Sequence, residues 1–130
     1  MQVPVDIKPQ TCPNSINTNA TSVLPVAILG TSGFDVTEID RSSIRLENVA
    51  PVRHATMDVA TPFIPIIGKT AATDCTTAGS DGITDLTLKF NTKDIGAAIG
   101  SVTNREVRVL HLTGKLDDGT PIVGEDVVVI

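Results

Sequence analysis

The fold class is decided by the C-terminal stretch, which reads EVRVLHLTGKL at residues 106–116, DDG at residues 117–119 and TPIVGEDVVVI at residues 120–130. The two long runs alternate apolar and polar residues over most of their length, which is the period of a strand with one buried face. An Asp-Gly pair between two such runs is a strong β-hairpin signal, because both residue types accept the backbone conformation of a tight turn. The sequence therefore predicts two antiparallel strands at this end of the chain.

Five earlier stretches also have strand patterns, and they are residues 3–7, 23–29, 43–49, 52–59 and 86–90. Pro4 cannot donate to a neighbouring strand, which favours an edge position for the first of them. The second is almost entirely apolar, as expected of a central strand that is covered on both faces. Together these patterns predict an all-β fold, a β-sandwich of about seven strands with Ig-like or Greek-key topology, in a single domain over residues 1–130.

Short helical pieces and one long loop complete this prediction. Residues 91–99 fit a short helix with Thr92 as its cap, and residues 36–40 fit a single helical turn. Residues 61–80, which we call the long loop, are rich in Thr, Ala, Pro and Gly and have no strand or helix period. Loops of this length in compact domains usually have a function of their own.

Composition narrows the classes of partner. The net charge is -5 and the ten basic residues are scattered singly, which argues against nucleic acid, whose phosphates require clustered Lys and Arg. No apolar run is long enough to cross a bilayer, so membrane insertion is not expected. The richness in Thr, Asn, Asp and Gly favours a domain of a longer secreted chain. The expected location is therefore extracellular or at the cell surface.

Cys12 and Cys75 are the only cysteines. In a secreted β-domain, two distant cysteines most often form a disulfide, which the chain-entropy model values at about 4 kcal/mol for a loop of this size. In a reducing compartment they would instead be two buried, inert thiols. We favour the disulfide.

A possible calcium site lies at residues 81–86, which read DGITDL. Asp81, the Ile83 carbonyl and Asp85 stand at the spacing of positions 5, 7 and 9 of a helix–loop–helix calcium loop, with Gly82 at its invariant glycine. The two acidic positions that should precede them are missing.

The missing calcium ligands would have to come from elsewhere. Asp74 could fold back to the site, and Asp117, Asp118 or Asp126 could join it from a neighbouring loop. The alternative is that the Asp-Gly pair makes a tight turn and that Asp85 binds backbone amides where a strand begins. The predicted metal ligands are Asp81 and Asp85, with Asp74 as a weaker third, and the predicted cofactor is calcium.

The sequence contains no arrangement of residues that is typical of a common catalytic site. There is no Gly-x-Ser-x-Gly nucleophile motif, and His54 and His111 lie in strand patterns where an outward-facing side chain is expected. Sugar-binding β-sandwiches usually stack the ring on Trp or Tyr, and this chain has neither. The sequence therefore predicts a protein that is not an enzyme, with glycan or protein binding through the long loop as the alternative function.

Several short motifs occur in a familiar order along the whole chain. They are VDIKP at residues 5–9, LPVAILGT at 24–31, FDV at 34–36, SIRL at 43–46, DGITDL at 81–86, LTG at 112–114 and GTPI at 119–122. In this order they resemble a module that recurs, often near the C-terminal end, in large secreted and cell-surface proteins of bacteria and archaea. The resemblance implies an extracellular β-sandwich accessory domain without known catalytic activity.

The expected function is therefore structural or adhesive, in displaying or assembling surface proteins. The partners would be neighbouring domains or further copies of the chain. The chain ends on an apolar run at residues 126–130, for which the simplest explanation is a domain boundary placed close to the last strand. The alternative is an unpaired terminal strand that completes the sheet of a neighbouring copy. Repeated head to tail, this contact would give a filament.

Overall fold

The computed structural model describes residues 1–130 and contains seven strands, one α-helix and two 3₁₀ turns. The strands are β1 Val5–Ile7, β2 Val23–Ile28, β3 Arg45–Leu46, β4 Arg53–Met57, β5 Asp85–Asn91, β6 Val107–Lys115 and β7 Pro121–Val129. The helix α1 spans Thr92–Ile99 and the 3₁₀ turns span Val36–Glu38 and Arg41–Ser43. None of the helices has the length and apolar character needed to span a membrane.

The strands form two antiparallel sheets. The first has four strands in the order β1-β2-β5-β4, and the second has three in the order β3-β6-β7. All pairings within both sheets are antiparallel. The predicted all-β class and the predicted number of strands are confirmed.

The main hydrophobic core is built from alternate residues of both sheets. In β2 and β5 the residues that enter it are Leu24, Val26, Ile28, Leu86, Leu88 and Phe90, while the second sheet contributes Leu46, Leu110, Leu112, Ile122 and Val128. This alternation follows from the two-residue period of a strand, which directs successive side chains to opposite faces.

The predicted C-terminal hairpin is present. β6 and β7 pair along their whole length, from Val107 opposite Val129 to Lys115 opposite Pro121. The turn is closed by the Leu116 amide, which donates to the Thr120 carbonyl at 2.8 Å. Gly119 has a φ of +90°, a left-handed conformation that side chains rarely adopt.

The last strand is paired on both edges within the chain, which contradicts the alternative of an unpaired terminal strand. The edge of β7 opposite β6 is bound by the N-terminal segment, where the Val3 amide donates to the Val123 carbonyl at 2.9 Å. Further along, the Ile16 amide donates to the Val129 carbonyl at 2.8 Å. These bonds occupy backbone groups that a strand from another molecule would need.

Two local expectations also differ from the structure. The strand expected at residues 43–49 is reduced to Arg45–Leu46, because the chain first makes the 3₁₀ turn Arg41–Ser43. Asp40 favours this turn by accepting the Ser42 amide on its carboxylate at 3.1 Å.

The cap of α1 is one residue earlier than expected. Asn91 rather than Thr92 caps the helix, with its side-chain oxygen accepting the Lys93 amide at 3.1 Å. Thr92 is inside the helix and buried, beside Ile95 on the face that packs into the core. The helix itself is where the sequence predicts it.

The long loop contains no strand or helix, as predicted. Just before the long loop, Ala60 packs on the face of β2 that points away from the main core, in a second apolar cluster with Ala27 and Leu29. The long loop itself runs beside β1 and β7, where Lys69 donates to the Val5 carbonyl and pairs with Asp126.

Candidate functional site

Cys12 and Cys75 form a disulfide, with their Cα atoms 5.5 Å apart. The predicted pairing is confirmed, and no free cysteine is present. Cys12 belongs to the segment that follows β1 and Cys75 belongs to the long loop. The bond therefore attaches the long loop to the N-terminal part of the chain.

Asp85 is fully buried at the first position of β5. One carboxylate oxygen accepts the Gly30 amide at 2.9 Å, and the other accepts the amides of Val59 and Ala60 at 2.9 and 3.2 Å. Burial raises the pKa of Asp85, while these three amides act to lower it. Asp85 thus binds backbone amides at the start of a strand, which is the alternative that the sequence left open.

Asp81 lies in an exposed turn and accepts the Ile83 amide at 3.0 Å. The same turn is held by Asp58, a residue that the sequence did not single out. Its two carboxylate oxygens accept the amides of Asp81 and Gly82 at 3.1 and 2.7 Å. The local geometry is a tight turn fixed by carboxylates.

Asp74 closes a turn within the long loop. One of its carboxylate oxygens accepts the amides of Thr70 and Ala71, both at 2.9 Å, and these bonds lower the pKa of Asp74. The structure does not bring Asp74, Asp81 and Asp85 into one ligand set, and no three His, Cys, Asp or Glu side chains are grouped to hold a metal ion. The calcium site stays a prediction.

A cluster of charged residues is buried where the long loop meets β1 and β7. We call Asp6, Lys69 and Asp126 the Lys69 cluster; their exposed fractions are 8%, 4% and 1%. Lys69 Nζ lies 3.1 Å from Asp126 Oδ1 and also donates to the Val5 carbonyl at 3.1 Å. Charged groups are rarely buried to this degree unless they are paired.

Asp126 is hydrogen-bonded on both oxygens. Oδ2 accepts the Ile7 amide at 2.7 Å and the Asn14 side-chain amide at 3.1 Å. Oδ1 accepts the Val127 amide at 2.9 Å, in addition to Lys69. The carboxyl group is thus held in a fixed orientation between β1 and the long loop.

Asp6 differs from Asp126 because one of its carboxylate oxygens, Oδ2, is buried without any hydrogen-bond partner. Burial, followed by the charge of Asp126, raises the pKa of Asp6 to about 7. Burial also raises the pKa of Asp126, and the nearby Lys69 opposes that rise. The cluster therefore contains two carboxyl groups for which burial favours the protonated form.

The three side chains of the cluster line one small cavity of about 10 Å³, together with Phe63 and Cys75. A cavity of this size has room for about one water molecule and none for a substrate. The cavity lies beside the disulfide, so the covalent bond and the buried charges hold the same part of the long loop.

Sequence reasoning missed this cluster as a unit and considered Asp126 only as a further calcium ligand. A signal was present, because Asp6 and Asp126 each stand beside apolar residues within a strand. Their partner, Lys69, lies in a loop without periodicity, and only the folded chain brings it to them.

The two histidines face outward, as expected. The side chain of His111 is 66% exposed, with Nδ1 3.6 Å from the carboxylate of Glu47. His54 is exposed on β4, with Nδ1 3.1 Å from the Arg41 guanidinium. Neither side chain is hydrogen-bonded to a serine or a cysteine.

No protein-family model, no curated protein and no solved structure matches this chain. The function is therefore argued from the geometry described above.

Proposed function

We propose that this chain is a non-catalytic structural or adhesive module of an extracellular or cell-surface protein. The observation that carries the proposal is the Cys12–Cys75 disulfide, which attaches the long loop to the N-terminal segment. Disulfides form and persist in oxidising compartments and are rare in reducing ones. The sequence resemblance to modules of secreted bacterial and archaeal proteins supports the same assignment. We also propose that the two antiparallel sheets have an Ig-like or Greek-key topology, which would agree with it.

The module would act by keeping its shape while it spaces or displays neighbouring domains. The Asp74, Asp81 and Asp85 carboxylates each bind backbone amides, and these bonds stabilise the loops that they hold. Calcium at Asp81 and Asp85, with Asp74, stays a prediction from the sequence and would add to this stability.

Assembly with further copies would use a strand edge that is still open. β4 pairs only with β5 and all five of its residues are exposed. It is short and carries Arg53 and His54, which are features that protect edge strands from unwanted pairing. The proposal therefore favours a monomeric module, and filament formation by strand addition is the competing prediction.

The proposal is tested by producing the chain in an oxidising and in a reducing compartment of the same bacterial host. We expect the oxidised protein to lack free thiols and to resist a protease added at low concentration. Cleavage within the long loop should be faster in the reduced protein and in the Cys12→Ser/Cys75→Ser variant. Equal resistance of all three would contradict a structural role for the disulfide.

The second candidate function is binding of a glycan or protein ligand through the long loop. Ile64 favours it, because this side chain is 75% exposed at the surface of the loop. The loop cannot be deleted as a test, because it carries Lys69 of the buried cluster and Cys75 of the disulfide. An array of glycans and extracellular proteins should instead be compared between the unmodified chain and Ile64→Ser, and a hit that only the unmodified chain gives would support this function.

A further inference from the structure

Within the Lys69 cluster, the side chains of Lys69 and Asp126 are close enough to form a covalent bond. Lys69 Nζ is 3.1 Å from Asp126 Oδ1, and a carbon–oxygen bond is about 1.2 Å long. Nζ is therefore no more than about 4.3 Å from the Asp126 carboxyl carbon. This is close to the separation of two reacting atoms held for attack, about 3 to 3.5 Å. Both side chains are buried.

We propose that Lys69 and Asp126 form an intramolecular amide bond, an isopeptide cross-link between the long loop and β7. The proposal goes beyond the structural role suggested above. It assigns a self-modification to residues that would otherwise form a buried ion pair.

The reaction needs no partner from outside the cluster. Transfer of one proton from the Lys69 ammonium to the Asp126 carboxylate gives a neutral amine and a neutral carboxylic acid. Nζ then attacks the carboxyl carbon, the new C–N bond forms, and the bond from that carbon to Oδ1 breaks. One water molecule leaves, and its atoms are Oδ1 and two protons from the pair.

The burial of the cluster favours the first step. Removing an ion pair from water costs free energy that the neutral pair does not require. In accordance with this, burial raises the pKa of the Asp126 carboxyl group. A protonated carboxyl and an unprotonated amine are the forms that react.

The surroundings of Asp126 favour the second step. The Ile7 amide and the Asn14 side-chain amide donate to Oδ2 at 2.7 and 3.1 Å. When Nζ attacks, negative charge develops on Oδ2, and these two donors are already placed to stabilise it. Oδ1, which faces Lys69, is the oxygen that leaves.

Asp6 can exchange protons with the pair through one bridging water, because it forms no hydrogen bond with Asp126 and no ion pair with Lys69 and the shared cavity has room for about one water molecule. Asp6 lines the same cavity as Lys69 and Asp126, and its Oδ2 is buried without a partner. With its pKa near 7, the group can accept a proton from nitrogen and return it to the departing oxygen. An otherwise unexplained buried carboxyl thus gains a role.

The test is the intact mass of the folded chain after the disulfide has been reduced. We expect a mass lower than that of the sequence by one water molecule. Trypsin should then fail to cleave after Lys69, and residues 54–89 should be recovered joined to residues 116–130. Water loss at an Asp-Gly turn would leave Lys69 cleavable and would give no joined peptide. The full sequence mass in the folded chain would overturn the proposal and leave a structural ion pair.

Variants separate the roles of the residues. Lys69→Met should show the full mass, whereas the matched control Lys93→Met, which alters an exposed lysine on α1, should still lose one water. Mass loss is followed from the time the chain is synthesised in a cell-free reaction, and in Asp6→Asn it should be slower than in the unmodified chain by about a hundredfold or more. Circular dichroism checks that each variant folds. An unchanged rate in folded Asp6→Asn would overturn the role of Asp6, and mass loss in Lys69→Met would overturn the cross-link.

Discussion

Both carboxylate oxygens of Asp85 accept hydrogen bonds from backbone amides of two other segments of the chain. Its three bonds hold Gly30, just after β2, and Val59 and Ala60, just before the long loop. A buried carboxylate is stabilised by amide donors of this kind, and each donor would lose its partner if the side chain were removed. Asp85 therefore acts as a structural anchor.

We expect Asp85→Ala to lower the free energy of unfolding by about 3 kcal/mol or more, since it leaves three amide donors without an acceptor. Asp81→Ala is the matched control, because Asp81 is exposed and accepts only the Ile83 amide. The control should cost less than about 1 kcal/mol. Urea denaturation measures both values. Similar losses in the two variants would contradict the anchor role of Asp85.

The raised pKa of Asp6 predicts that the folded chain becomes less stable as the pH rises. This pKa is about 7 in the folded chain and near 3.8 when unfolded, so between these values the folded state retains a proton that the unfolded state has lost. The free energy of unfolding should then fall as pH rises, by about 3 kcal/mol between about pH 5 and about pH 8. Burial, the largest cause, acts whether or not Lys69 and Asp126 are joined.

The check is urea denaturation at both pH values for the unmodified chain and for Asp6→Asn. Asp126, Lys69 and Asp85 are the charged groups that influence Asp6. Because an amide bond between Lys69 and Asp126 would remove both of their charges, and Asp6→Asn would slow its formation, the two proteins are compared only in samples whose intact mass shows the same cross-linked or open state. The fall in stability should therefore be much smaller in the variant. The same fall in both would show that Asp6 does not titrate in this range.

The contact between β1 and β7 depends on the absence of a side chain at Gly124. A Cβ atom there would lie 2.8 Å from the Val3 carbonyl oxygen and would also collide with the Val5 side chain. This close approach lets the N-terminal segment cover the edge of β7. Neither group can move without disturbing the core, because Val3 and Val5 are both buried.

Gly124→Ala should therefore lower the free energy of unfolding by about 1 to 3 kcal/mol, as overpacking does in other cores. Gly33→Ala is the control, since a Cβ at Gly33 meets nothing within 4 Å. It should change stability by less than about 1 kcal/mol. Thermal or urea denaturation distinguishes the two, and an equally stable Gly124→Ala would show that the two strands are not packed so closely.

The strands were predictable because their signal is local. The hairpin of β6 and β7, the central position of β2 and the helix after β5 all follow from periodicity and turn residues within short windows. The strand expected at 43–49 was mostly lost, since the local bond from Asp40 to the Ser42 amide favours a 3₁₀ turn. A local side-chain bond also decides the cap of α1, because the Asn91 side chain accepts the Lys93 amide and makes Asn91 the cap rather than Thr92.

The Lys69 cluster was not predictable in this way. Asp6 and Asp126 belong to opposite ends of the chain, and Lys69 comes from an irregular loop. No periodic pattern specifies how such a loop crosses a sheet, so the contact depends on the tertiary fold alone. Asp85 was singled out from the sequence as a metal ligand, with backbone amides at a strand entry as the alternative, and the amides that it binds come from segments that only the fold brings to it.

Other parts of the chain cover most of the places where a strand of another molecule could pair. The N-terminal segment pairs with one edge of β7, Ala60 packs on the outer face of β2, and the disulfide attaches the long loop to the N-terminal part of the chain. β4 lies at the edge of its sheet and pairs only with β5.

We therefore expect light scattering after gel filtration to give the mass of one chain, 13.6 kDa, with calcium and with chelator alike. The melting temperature should also be the same in both, because Asp74, Asp81 and Asp85 already bind backbone amides. Large species would support assembly through β4. A melting temperature that falls in chelator, and no longer does so in Asp81→Ala, would support the calcium site predicted from the sequence.

The central claim is that covalent attachment of the long loop maintains the fold, and the most direct measurement is the free energy of unfolding with and without the disulfide. Urea denaturation of the oxidised chain should be compared with that of Cys12→Ala/Cys75→Ala. The bond closes a separation of 63 residues, for which the chain-entropy model predicts a loss of about 4 kcal/mol in the variant. A loss below about 1 kcal/mol would contradict the account, because the long loop would then be held in place without the disulfide.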